Sequence, residues 1–241
     1  MLCLQEAGLH IAAYVDSRSD TTITGDFPIF RGAVVSNTAG RKNLRSITVR
    51  HNGGEDKIPT DVLAVSGGWN PTLHLSCHMN GRPNWDELVQ SFVPQRGAIA
   101  GMVYAGACVG HMSTAACLRS GSENALSVVA DLGAKADPRT LPSAEDRPYA
   151  IKPLWSVASR TGTRAWVDFQ NDVTVKDIEQ SVSENYRSVE HMKRYTTQGM
   201  ATDQGKNSNV TAMAVLADVN GWAIPETGTT TYRPPFVPVS I

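Results

Sequence analysis

Apolar and polar positions change rhythm several times along the 241-residue chain, and each change predicts an element. "LQEAG" (4–8) reads as the end of a helix stopped at Gly8, where glycine takes the left-handed turn without a Cβ penalty. "LHIAAYVD" (9–16) is an apolar run closing on Asp16, the pattern of a buried strand. A helix feeding a strand that ends in an acidic residue is the middle of a βαβ unit. The chain is therefore expected to begin inside a dinucleotide-binding domain, with the first strand and its glycine-rich turn upstream. "FPIFRGAVV" (27–35) predicts a short strand, and "LRSITVRHNGG" (44–54) alternates like a half-exposed strand ending in a turn. "TDVLAVSGGWNP" (60–71) predicts a fully apolar strand broken at Gly67-Gly68.

The stretch "GMVYAGACVGHMSTAACLRSG" (101–121) predicts a buried strand, a small-residue turn, and a helix ending at Gly121. Small residues let a phosphate or ribose approach the backbone, and a helix start offers free N–H groups. Tight packing is the other reading of the same pattern. Proline and charge then crowd residues 134–160, the composition of a linker.

A helical unit follows. Thr174 and Asp177 have capping-box spacing, and Val175, Ile178, Val182 and Tyr186 form a helical stripe. Ser188 is placed to cap "VEHMKRY", and Asn209 to cap "VTAMAVLADVN", which stops at Gly221. Between these two helices lies "KRYTTQGMATDQGK" (193–206), with three basic residues, three threonines and two glycines. It is either a solvated connector or a loop that holds a charged cofactor. The closing "GTTTYRPPFVPVSI" carries prolines that exclude a helix and predicts an extended connector.

Composition narrows the field. A net charge of −1 gives no electrostatic case for nucleic acid or an anionic membrane. No apolar run reaches the roughly 18 residues of a membrane span. The N-terminus is interrupted by Gln5, Glu6 and His10 and does not read as a signal peptide. Cys3, Cys77, Cys108 and Cys117 form no CxxC pair and read as reduced thiols of a cytoplasmic protein. His74, Cys77 and His78 lack a second group to complete a metal site, so no metal is expected. No triad or carboxylate pair offers independent catalysis, so no catalytic residue is expected on this chain.

Four stretches carry a family resemblance: "DVLAVSGGWNPTLHL", "VYAGACVGHMSTAACLRSG", "VDFQNDVTVKDIEQSVSENYRSVEHMKRYTTQGMATDQGKNSNV" and "IPETGTTTYRPPFVPVS". Together they resemble the α subunit of heterotetrameric sarcosine oxidase, almost end to end. The resemblance implies an internal fragment, without the N-terminal part and without the folate-binding C-terminal part. It implies an α/β fold in which residues 1–133 are a partial Rossmann-like dinucleotide-binding region. Residues 134–160 would be the linker, 161–225 a small helical domain, and 226–241 the connector tail.

The implied reaction is oxidative demethylation of sarcosine to glycine, giving hydrogen peroxide and methylene-tetrahydrofolate or formaldehyde. FAD would sit on a β subunit, FMN at the α/β interface and NAD on the α subunit, with γ and δ subunits completing the heterotetramer. A related proline or opine dehydrogenase subunit, or a non-catalytic partner-binding fragment, are the alternatives. On this reading Ala107, Met112 and Thr114 line NAD, while Lys193, Arg194, Thr196, Thr197 and Lys206 lie near FMN. With the acidic ribose-binding strand of that domain expected upstream, NAD binding by the chain alone is expected to be weak.

The helical unit also resembles the bacterioferritin-associated ferredoxin type, whose CxC and C-x4-C pairs hold a two-iron cluster. Asp168 and Gln170, then Asp203 and Ser208, stand in those places here. Thiolates hold such clusters, so none is expected. Anaerobic reconstitution with iron and sulfide should leave the purified chain without cluster absorbance; a stoichiometric two-iron cluster would refute the correspondence.

Overall fold

The computed structural model describes residues 2–147, 149, 151–158 and 164–232. It is a mixed helix-and-sheet structure that divides into two compact units. One comprises Met1–Gly67 with Leu154–Ala165, the other Gly68–Pro153 with Trp166–Ile241.

In the first unit, helix α1 (Leu2–Glu6) stops before Gly8, which adopts φ +80°. Strand β1 (Tyr14–Asp16) then runs parallel to β2 (Ile29–Arg31), with Asp16 opposite Arg31. A three-stranded antiparallel meander follows: β3 (Val34–Gly40), β4 (Leu44–His51) and β5 (Gly54–Pro59). The β4–β5 ladder closes at His51 opposite Gly54, leaving Asn52-Gly53 as the two-residue turn. Neither residue takes a positive φ; the left-handed backbone falls instead on Gly54, at φ +132°. Ile47 and Val49 of β4 are buried with Ala33, and Val15, Phe30 and Ile58 pack against them. The half-exposed strand predicted at 44–54 is thus the central strand of the meander.

Two predicted strands do not form. Residues 60–71 make no ladder, and Val62, Val65 and Trp69 are 72%, 82% and 73% exposed. Apolar composition alone does not make a strand; its N–H and C=O groups need a neighbouring strand, and among the described residues none pairs with this segment. Likewise "MVYAGA" has no strand, and Val103 is exposed. A 3-10 turn (Gly106–Val109) follows, flanked by Gly106 and Gly110 at positive φ.

The second unit contains α2 (His74–His78), the hairpin β6 (Pro83–Asp86) with β7 (Ser91–Pro94), and the long helix α3 (Thr114–Asp131). Ser113 caps α3 by accepting from the Ala116 N–H at 3.1 Å. The predicted stop at Gly121 is wrong. The residues that follow it, Ser122 to Asp131, continue the helical hydrogen bonds, and the stop is Gly133 at φ +76°. There the Gly133 and Ala134 N–H groups donate back to Ala130 and Val129, the paired pattern that satisfies the last carbonyls of a helix. Residues 134–147 carry no regular structure, in keeping with their proline and charge.

The remaining elements are β8 (Trp166–Asp168), β9 (Val173–Thr174), α4 (Val175–Ser183), α5 (Val189–Thr196), α6 (Asn209–Asn220) and α7 (Ile224–Thr227). The Thr174/Asp177 capping box is present, with Asp177 Oδ2 accepting from the Thr174 N–H at 2.7 Å. Ser188 caps α5 through the His191 N–H. Helix α6 is apolar nearly all round because it is enclosed: Ala212 through Ala217 are all buried. Around it close Ile178, Val189 and Met192, with Val167, Val173 and Tyr232. Residues 233–241, most of the predicted connector tail, lie outside the described residues.

Gly121 has an ordinary helical φ, and a Cβ placed there meets nothing within 4 Å. Gly121→Ala should therefore stabilise the chain by about 0.5–1 kcal/mol, read as a raised urea midpoint. Gly133→Ala, which forces a Cβ into the left-handed region, should lower it.

Candidate functional site

The loop that joins α5 to α6 is built around one buried amide. Asn209, at the start of α6, turns its side chain inward. Its Oδ1 accepts from Gln198 Nε2 at 2.8 Å, and its Nδ2 donates to Thr230 Oγ1 at 3.1 Å. Gln198 Nε2 also donates to Ser208 Oγ at 3.0 Å. Gln198, Ser208, Asn209 and Thr230 are all buried. The expected cap at Asn209 is thus displaced by one residue: Ser208 occupies the cap position. Asn209 serves the interior instead, where an amide without partners would cost more than its hydrogen bonds return.

This arrangement explains both glycines of the loop. Gly199 and Gly205 have φ +67° and +71°, and a Cβ on either would lie 2.5 Å and 2.1 Å from Asn209 Oδ1. The space that a side chain would need is filled by the Asn209 amide. Asp168, at the end of β8, ties the loop from the other side. Its Oδ2 accepts from the Gly199 N–H at 2.8 Å, and its Oδ1 accepts from the Gln170 N–H at 2.9 Å.

The other residues at the cluster-ligand positions also face this loop. Asp203 Oδ1 accepts from the Gly205 N–H at 3.1 Å, and Gln170 Oε1 accepts from Thr202 Oγ1 at 3.4 Å. No group of three or more His, Cys, Asp or Glu side chains among the described residues is placed to hold a metal ion.

Lys193 and Arg194 do not belong to the loop itself. They stand on the last turn of α5, where cations complement the helix dipole. With Glu190, Met200, Gln204 and Thr231 they line an open cleft of ≈ 400 Å³. Lys193 Nζ donates to the Thr231 carbonyl at 3.0 Å. Glu190 bridges the cleft, with Oε2 3.3 Å from Arg194 Nη2 and Oε1 accepting from the Thr231 N–H at 2.7 Å. Thr196 and Thr197 direct their hydroxyls to the carbonyls of Met192 and Thr196. Neither threonine is among the residues lining the cleft, nor is the half-buried Lys206.

A second cleft, ≈ 620 Å³, lies at the start of α3. Met112, Ser113 and Thr114 form one wall, and Glu145, Arg147 and Tyr149 another. Ala107, exposed on the 3-10 turn, is not among its lining residues. Asp146 reaches across to Ser113 Oγ at 2.5 Å and to Arg119 Nη2 at 2.6 Å. These hydrogen bonds, from Ser113 above all and then from Arg119, hold its carboxyl below the usual range. The anion at this helix start is therefore supplied by the chain itself.

His74 links α2 to the α5–α6 loop. Its ring packs against Tyr232 with centroids 4.0 Å apart and planes inclined by 37°, and Nε2 lies 3.4 Å from the Gln204 carbonyl. Burial lowers its pKa, a drop opposed by the Gln204 contact. Burial likewise pushes the nearby Cys77 thiol up, leaving it protonated and inert.

Sequence reasoning named the cations of the cleft but missed Glu190, Gln198, Thr230 and Asp146. Glu190 was legible, four residues before Arg194 on one helix face. The others join segments far apart in the chain and leave no local signature.

Comparison with known proteins places these features. Residues 162–241 match the family model described as the Sarcosine oxidase A3 domain. The sarcosine oxidase α subunit of Rhizobium meliloti (strain 1021) is 41% identical over 98% of this chain and 24% of the relative. That of Corynebacterium sp. (strain U-96) is 36% identical over 95% of this chain and 26% of the relative. The chain is a homologue of the sarcosine oxidase α subunit. It spans about a quarter of the length of these α subunits. Among solved structures, L-proline dehydrogenase from P. horikoshii matches 90% of this chain and 44% of its own, with a TM-score of 0.69. At 17% identity that likeness concerns the fold alone. No helix among the described residues is long and apolar enough to cross a membrane.

Two outcomes follow. Gly205→Ala should destabilise the chain by about 1–3 kcal/mol, since it clashes with Asn209 and forces a Cβ to positive φ; unchanged unfolding would show that the loop relaxes freely. For His74 the folded pKa lies below the unfolded one, so the unfolded chain takes up protons first. Stability should fall as pH drops below about 6.5, and His74→Gln should lose part of that slope in urea titrations between pH 7.5 and 5.

Proposed function

We propose that the chain serves as part of an oxidoreductase α subunit of the sarcosine oxidase type and that the cleft beside α5 receives the phosphate of a flavin mononucleotide. The observation that carries this reading is the position of the cleft. All six of its lining residues fall within the segment that matches the Sarcosine oxidase A3 domain. Two cations on one helical turn suit a phosphate, and charge-assisted hydrogen bonds to phosphate are the stronger kind. The residues fit in part. Arg194 keeps an exposed guanidinium held by one carboxylate, whereas Thr196 and Thr197 must rotate their hydroxyls before they can donate to a ligand. Lys206 would approach from the loop rather than from the cleft wall.

On this reading the bound flavin supplies electron acceptance from a partner's FAD and delivery to oxygen. The chain's own residues bind and orient it: Lys193 and Arg194 hold the phosphate, Glu190 fixes Arg194, and Asn209 fixes the loop. Met112 and Thr114, with Ala107 nearby in sequence, would face NAD at the start of α3. Entry there requires Asp146 to leave Ser113 and Arg119. Sarcosine as substrate, β, γ and δ subunits as partners, a tetrahydrofolate site outside this chain, and a cytoplasmic setting complete the proposal. A proline- or opine-dehydrogenase subunit is the second reading, favoured by the fold likeness to a proline dehydrogenase.

In the assembled complex, Arg194→Ala or Lys206→Ala should lower FMN content or slow transfer between flavins by about tenfold. Reduction of FAD by sarcosine should stay normal. Rapid-reaction spectra check this; wild-type FMN loading and transfer rates in both variants would leave the loop a packing feature.

A further inference from the structure

The cleft beside α5 is arranged around an oxyanion that the chain supplies itself. Glu190 presents two carboxylate oxygens, and each meets a different donor of the cleft wall. Oε1 accepts from the Thr231 N–H at 2.7 Å, and Oε2 lies 3.3 Å from Arg194 Nη2. A backbone N–H and a guanidinium converging on one anion is also the arrangement that a phosphate takes up. Both donors keep their places without the carboxylate. Arg194 Nη1 donates to the Glu190 carbonyl at 3.3 Å, so the guanidinium is tied to the helix backbone as well. Thr231 is held through its own carbonyl by Lys193 Nζ at 3.0 Å, and its neighbour Thr230 is held by Asn209. The start of α5 does not need the Glu190 side chain either, because Ser188 caps it through the His191 N–H. The hold on Arg194 is moderate: the two side chains are 65% and 31% exposed, and an ion pair four residues apart on a helix surface contributes little. A carboxylate left in place beside an incoming phosphate would set two anions side by side, which opposes binding.

We infer that Glu190 is an internal competitor for this cleft: its carboxylate occupies the donors that a phosphate monoester needs, and it swings into solvent when one binds. Glu190 thereby sets the affinity of the cleft for phosphate. In the free chain it holds Arg194 in position; on binding it yields Arg194 and the Thr231 N–H to the ligand. The inference deepens the reading of the cleft as a phosphate site and rests on it, but it does not depend on whether the phosphate belongs to a flavin or is free.

The test has two arms. In the first, the chain is titrated calorimetrically with inorganic phosphate. Glu190→Gln should bind it about tenfold more tightly than wild type, the effect of one recovered charge-assisted hydrogen bond. Adding Arg194→Ala should cancel the gain. Glu179→Gln removes the same charge from an exposed carboxylate that does not line the cleft, and it should bind phosphate as wild type does. Circular dichroism establishes that each variant is folded; if Glu190→Gln is not, Glu190→Asp, too short to span both donors, should show a smaller tightening. In the second arm, release of FMN from the assembled complex on dilution should slow by a similar factor in Glu190→Gln. Unchanged or weaker phosphate binding in the folded variant overturns the inference, as does a gain that persists without Arg194 or appears equally in Glu179→Gln. Those results leave the flavin reading standing, since FMN loading in Arg194→Ala decides it. A tenfold gain for phosphate with FMN release unchanged upholds the inference and removes the flavin from the cleft. Absence of phosphate binding in every form of the chain overturns the inference, and with wild-type FMN loading in Arg194→Ala it overturns the flavin reading too.

Discussion

The second unit depends on one buried amide. Asn209 lies at the start of the most enclosed helix and holds together Gln198 from the loop and Thr230 from the segment after α7. Burying a polar side chain is tolerable only when its partners are fixed in space. Satisfying this amide therefore fixes the path of residues 198–209 and brings residues 230–231 beside α5. From that follow two further placements: Thr231 meets both Glu190 and Lys193, and Gln204 reaches His74. The cleft is a consequence of this polar core rather than of the cations that line it.

The same amide decides between two accounts of the glycines. Glycine in a donor-rich loop suggests a backbone that approaches a ligand. Here the neighbour that excludes a Cβ at Gly199 and Gly205 is a side chain of the protein itself. The glycines are needed for folding whether or not a ligand binds, and the cations alone carry the case for one. Those cations are not idle in the free chain, since Glu190 and the Thr231 carbonyl engage them. Asp146 at α3 and Arg18 at β1 are likewise engaged within the chain, Asp146 by Ser113 and Arg119 and Arg18 by Asp16.

Much of the helical unit was legible in the sequence because its signals are local. The capping box at Thr174, the Ser188 cap and the Gly221 stop each involve residues within one turn of each other. The failures are equally physical. Residues 60–71 and 102–107 are apolar enough for strands, but a strand is defined by a neighbour, and periodicity carries no information about that neighbour. Gly121 failed as a stop because a glycine inside a helix lowers stability without ending it when the following residues support the helix. At the candidate site the charged residues were readable one by one. Their pairing with Glu190 and Thr231, and the Asn209 hub beneath them, required the fold to bring residues 168, 198, 209 and 230 together.

A structure of the assembled oxidase complex with its flavins bound would show whether the cleft beside α5 receives a flavin phosphate, as proposed. The phosphate of the FMN is expected within hydrogen-bonding distance, about 2.7–3.2 Å, of Arg194 or Lys193, with the Asn209 hub unchanged. An FMN phosphate held elsewhere, with Glu190 still closing the cleft against Arg194 and Thr231, would contradict it.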